Sequence, residues 1–221
     1  MRKRLGRDLQ VERNRRLVLE AARRVFLEKG YAGASLDAIA EEAGFSKGVV
    51  YSQFDSKADL FLALLERRIS ERADENERVA SETAGNGSVA GGVTALIQLA
   101  HRSFVEEPEW GLLVAEFRVQ AARDPQLNQR YAQVHARTIE RLARLLAKVH
   151  ERAGLEPALQ TVTMAEFILA LGFGVEIERT ANPRALPVES VVPMLARALG
   201  TALPDTDRSD ATRRAGAGRK R

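Results

Sequence analysis

The chain is expected to be all-α, with an N-terminal helix-turn-helix unit and a larger helical domain behind it. Three observations predict this. Apolar residues recur at three- and four-residue spacing along nearly all of its 221 residues. Proline and glycine fall mainly between such runs, where helices begin and end. Residues 39–60, "IAEEAGFSKGVVYSQFDSKADL", compress three short helical pieces into a span too small for a domain.

From Asp8 to Lys29, Leu17, Val18, Ala21, Ala22, Val25 and Phe26 share a helical face, and Gly30 stops the run. Ser35 then suits the N-cap of a short second helix with Leu36, Ile39, Ala40 and Ala43 on one side, closed by Gly44 in a left-handed conformation. Ser46 caps a third helix of barely two turns, buried through Val50 and Phe54. Ser56 and Asp59 stand at capping-box spacing before a fourth helix with Leu60, Phe61, Leu64 and Leu65 inside. A helix as short as the third cannot hold itself, and Gly48 costs it up to about 1 kcal/mol relative to alanine. Lys47, Gly48, Val49, Tyr51 and Ser52 lie on its free side. That combination reads as a helix-turn-helix with the third helix entering the major groove.

This stretch resembles the N-terminal signature of the TetR family of bacterial transcription regulators, in Ile39, Ala43, Gly44, Ser46, Gly48, Tyr51, Phe54, Lys57 and Leu60. The resemblance covers about residues 10–65; Gln53, Ser52 and Phe45 depart from the commonest pattern and leave the operator sequence open. It implies double-stranded operator DNA as partner. Lys47, Gly48 and Val49 would then read base edges: the lysine a guanine or a phosphate, the bare α-carbon allowing close approach, the valine a thymine methyl. Ser35, Ser46, Tyr51 and Lys57 would hold phosphates, and Gln53 either. The plain alternatives are a partly buried ring for Tyr51 and a solvated lysine for Lys57; Tyr31 is left to the core.

Behind the joint "SETAGNGSVAGG", breaks at Pro108, Pro125, Pro157 and residues 182–187 divide helices expected at about 90–106, 109–122, 125–152, 157–180 and 188–202, with Pro193 kinking the last or marking its start. Pattern and resemblance together make this a ligand-binding and dimerisation domain. Residues 167–177, "FILALGFGVEI", are apolar nearly all round. A homodimer seam is therefore expected at Phe167, Leu171, Gly172, Gly174, Val175, Val188, Val191, Val192, Leu195 and Leu199, as the family's four-helix bundle implies; a central helix of a monomer is the other reading. An effector pocket for a small molecule is expected among Phe104, Trp110, Leu113, Phe117, Tyr131, His135, Phe167 and Leu171. The same pattern also describes an ordinary helical core.

The expected domains are a basic flexible arm (1–9), the DNA-binding unit (10–55), the helical domain (56–204) and a basic disordered tail (205–221). The first 16 residues carry seven basic side chains against two acidic, and residues 205–221 six against three, so the net charge of +4 covers an acidic body with basic ends. No cysteine is present, no apolar run nears the roughly 20 residues that span a bilayer, and "MRKRLGRDLQ" has no apolar signal core, so a cytoplasmic protein without membrane contact is expected. His101, His135 and His150 lack metal-ligand spacing and "GNG" is no phosphate loop; neither cofactor, metal nor catalytic residue is expected. A nonspecific nucleic-acid architectural protein and, remotely, a helical-bundle enzyme are the rival readings.

Overall fold

A computed structural model describes residues 2–83, 107–152, 154, 156–157 and 159–198. Its helices are α1 (Arg2–Gly33), α2 (Leu36–Glu42), α3 (Lys47–Tyr51), α4 (Lys57–Thr83), α5 (Pro108–Ala121), α6 (Pro125–Arg152), α7 (Thr161–Ala181) and α8 (Val188–Ala198), with no strand among the described residues. The helix expected at 90–106, Phe104, Leu199 and the C-terminal tail lie outside the described residues. No described helix is long and apolar enough to cross a membrane.

Residues 2–9, expected as a flexible arm, are instead the first turns of α1. The sequence marks no N-cap before Asp8, yet the backbone carries the helix to Arg2. At its other end Gly30 breaks the helix at φ 68°, and a β-carbon there would lie 2.8 Å from the Glu116 carboxylate. That carboxylate accepts the Tyr31 N–H at 2.8 Å, which ties α5 to the corner between α1 and α2. α7 starts four residues later than the 157 expected, because Pro157 belongs to the preceding loop rather than to a first turn. α8 begins at Val188 and runs through Pro193, which therefore does not mark its start.

Two compact units partition the chain: Met1–Glu75 with Ser103–Arg141, and Asn76–Arg102 with Leu142–Arg221. In the first, Val18, Ala22, Val25 and Phe26 of α1 meet Ile39 of α2, Val50 of α3 and Leu60 and Phe61 of α4 in one core. Aromatic rings bind it together. Phe61 lies 4.3 Å from Phe117 in a stack and 5.3 Å edge-on from Phe26, and Tyr31 stands edge-on to Phe117 at 4.9 Å. Trp110, Leu113, Phe117 and Tyr131 belong to this core, so the first four helices do not close their interior alone but borrow α5 and the start of α6. Charged side chains pin α6 alongside α4: Asp59 pairs with Arg130 and Glu66 with Arg137, and Arg141 donates to Ser70 at 3.2 Å.

In the second unit, Met164, Ala165, Ile168 and Val175 form the covered face of α7, and Val192 and Leu195 that of α8. Arg179 braces the loop between these helices by donating to the carbonyls of Ala185 and Leu186. Lys148 and Glu77 pair at 2.5 Å.

Candidate nucleic-acid interface

The exposed side of α3 is assembled by the turn before it. Ser35 caps α2, its hydroxyl oxygen accepting the Ala38 N–H at 3.2 Å, which leaves its own hydrogen to donate elsewhere. Gly44 leaves α2 at φ 71°, a left-handed bend, and Phe45 N–H returns to the Ala40 carbonyl. Ser46 stands at the N-cap position of α3 but makes no capping bond with its side chain; its carbonyl accepts the Val49 N–H instead. Val50 and Phe54 are buried, and through them the short helix rests on the core.

What remains outward is Ser46, Lys47, Gly48, Tyr51 and Ser52, with Val49 half-buried. A β-carbon on Gly48 would meet nothing nearer than the Ser46 hydroxyl at 3.9 Å, so nothing among the described residues obliges a glycine here. The Lys47 ammonium pairs with Asp37 of α2 at 2.5 Å, and Tyr51, 50% exposed, places its hydroxyl 3.5 Å from the other oxygen of that carboxylate. The bond from Asp37 holds the lysine pKa above its ordinary value.

Two expected contacts are occupied from within. Ser52 and Gln53 both turn back to the Val49 carbonyl, at 2.9 and 3.3 Å, and finish the end of α3. Lys57 is engaged more fully still. Its ammonium donates to the carbonyls of Tyr31, Ala32 and Ala34 at 2.7, 3.1 and 2.9 Å and lies over the Tyr31 ring. An ammonium has three donors; all three are engaged in closing the corner after α1, and partial burial lowers its pKa. It is neither a free phosphate anchor nor a solvated surface lysine in this structure. Asp37 was absent from the sequence reading; the only signal for it was opposite charge ten positions from Lys47 across the turn.

The expected pocket residues are placed differently from the reading. Trp110, Leu113, Phe117 and Tyr131 are buried in the first unit, and neighbours pack against the Trp110 and Phe117 rings: Phe61 and the Arg68 guanidinium for Trp110, Tyr31, Phe61 and Tyr131 for Phe117. Spacing that fits a cavity wall also fits a core, and here large rings fill the space between α1, α4 and α5. His135 is half-buried and stacks on Tyr131 at 5.7 Å. Phe167 and Leu171 belong to the second unit, the former 45% exposed. An open groove of about 720 Å³ lies elsewhere, between α1 and α4 beside Leu9, Arg13, Leu19 and Arg67.

Residues 18–64 match the bacterial regulatory proteins of the tetR family, and residues 92–204, half of the chain, match the C-terminal domain of the BetI-type transcriptional repressors. The chain belongs to the TetR family. Similar proteins include the uncharacterized HTH-type transcriptional regulator YfiR of Bacillus subtilis (strain 168), 28% identical over 72% of this chain and 76% of its own. The HTH-type transcriptional activator FasR of Mycolicibacterium smegmatis is 44% identical over 66 residues, 30% of each chain. A TetR transcription regulator from Haloarcula marismortui shares the fold, with a TM-score of 0.68 at 20% identity over 86% of this chain and 97% of its own. As a TetR-family member the chain is a ligand-responsive DNA-binding transcriptional regulator, in a family that is not enzymatic.

Proposed function

We propose that this TetR-family regulator works in the cytoplasm as a homodimeric repressor, reading a palindromic operator with the exposed side of α3 and leaving it when a small apolar or amphipathic molecule binds. The observation that carries the reading is the face itself: Ser46, Lys47, Gly48 and Tyr51 stand outward on a helix of five residues whose other side is anchored in a closed core. Lys47, Gly48 and Val49 address bases, and Ser35, Ser46 and Tyr51 address phosphates.

The dimer seam is supported by α7. Phe167, Ala170, Gly174, Ile177 and Ala181 recur at three- and four-residue steps and are all exposed, an apolar stripe with small residues where another helix can approach. Leu171, Gly172 and Val191 are half-buried. Val175, Val192 and Leu195, first assigned to the seam, are buried within the single chain. Ile177 and Met194, the latter 67% exposed, take their place.

Repression is supported by the BetI-type repressor domain that matches half of the chain, whereas the activator FasR is alike over 30% of it. Two reader helices must stand about 34 Å apart to enter successive major grooves, so an effector that favours another spacing empties the operator through differential affinity alone. The test is sedimentation with a duplex carrying the site the protein selects from random DNA, joined to transcription in vitro from a promoter overlapping that site. Two chains per duplex and falling transcript are expected. One chain per duplex, or rising transcript, contradicts the dimer or the repression respectively.

A further inference from the structure

One carboxylate faces both ends of α3, paired with Lys47 and 3.5 Å from the Tyr51 hydroxyl. Lys47 and Tyr51 are the first and last residues of α3, and Asp37 of α2 takes the ammonium of one on one oxygen and lies against the hydroxyl of the other with its second. A helix of five residues has too few internal bonds to fix its own termini, and the close pair with Asp37 draws the Lys47 ammonium toward α2. The pair is exposed, with 68% of the lysine side chain and 47% of the aspartate side chain reached by solvent, and a pair in that setting adds little to stability. Its presence asks for another role.

Resting on the reading of α3 as the groove-entering helix, we propose that Asp37 is a positioning residue that makes Lys47 a reader of guanine instead of a phosphate anchor. An ammonium offers three N–H donors. With one committed to Asp37, two remain for the O6 and N7 acceptors that guanine presents side by side in the major groove. The carboxylate also cancels the charge with which Lys47 would otherwise release a counterion from any phosphate, and it meets phosphate with repulsion. Random DNA thereby loses an attraction that the correct base restores.

Asp37→Asn keeps the shape and removes the charge. On a random-sequence duplex it is expected to steepen the dependence of log K on log salt by about 1, and in selection from a random pool to relax one base pair in each half-site, lowering the ratio of specific to random binding about tenfold. Asp37→Glu is expected to recover base preference and salt slope at least in part, a rescue that loss of α2 stability would not give. In a Lys47→Met background Asp37→Asn is expected to change neither quantity. An unchanged salt slope and unchanged selection in Asp37→Asn overturn the proposal, and so does an equal steepening in the Lys47→Met background, which makes Asp37 a general repulsive charge. Wild-type protein that enriches no sequence overturns the groove-reading of α3 itself, an outcome distinct from both.

Discussion

Phe61 and Phe117 are wholly buried beside α1 and α4, while Phe167 on α7 stands 45% exposed. The same residue type thus meets two fates in one chain. Around α3 the apolar side chains are closed off and the outward groups are polar or charged; along α7 an apolar stripe is left uncovered. The contrast teaches that the first region buries its large apolar side chains within the single chain, whereas the second leaves an apolar stripe that the proposed dimer would cover.

The largest break in that comparison comes from Phe61→Ala. Removing a ring that contacts Phe26, Tyr31, Trp110 and Phe117 is expected to cost about 3–5 kcal/mol in chemical denaturation and to abolish DNA binding, since α3 rests on the same core. A loss under 1 kcal/mol would mean that the region is not closed as described.

Lys57→Met comes next. Three carbonyls lose a charged donor, for which about 1.5–3 kcal/mol is expected, with operator affinity lowered on every sequence and a salt slope unchanged. A phosphate anchor gives the reverse, intact stability and a slope shallower by about 1.

Gly174→Leu sharpens the second half of the comparison because its two effects have opposite signs. A β-carbon at this position meets nothing within 4 Å among the described residues, so the helix gains up to about 1 kcal/mol from losing a glycine. Association is expected to weaken by about 1–3 kcal/mol through overpacking. Thermal melting at low concentration and sedimentation separate the two, and unchanged association would count against the stripe as the seam.

The smallest effect is confined to alkaline pH. Burial is the main cause that raises the Tyr31 pKa from 10.0 to about 12. The folded state keeps its proton while the unfolded chain releases it, so this contribution is whole below about pH 10 and is lost as pH rises through 12. Tyr31→Phe should remove that downward slope between pH 10 and 12 in stability measurements, and an equally steep slope in the variant would assign it to other groups.

Local signals carried most of the fold. The cap at Ser35, the left-handed Gly44 and the Ser56–Asp59 pair, in which the serine hydroxyl accepts one bond and donates another, are each contained within four residues of a helix end. The outward set on α3 was legible for the same reason, since Val50 and Phe54 define the other side. What escaped depends on pairing across the chain. Lys57 closes on carbonyls 23 to 26 positions back, Glu116 caps Tyr31 from 85 positions away, and Asp37 reaches Lys47 through a turn. Nor does helical spacing distinguish a ring that lines a cavity from one that fills it, which is why Trp110 and Phe117 fit both a pocket and a core by spacing alone; both are buried here.

The central claim is that the outward side of α3 reads bases. It is tested most directly by comparing the sites that wild-type protein and Lys47→Ala select from one random pool. A palindrome is expected for wild type, with one base pair in each half-site relaxed in the variant at a cost of about 1–3 kcal/mol. Identical sites from both proteins, with only a uniform loss of affinity, would contradict it.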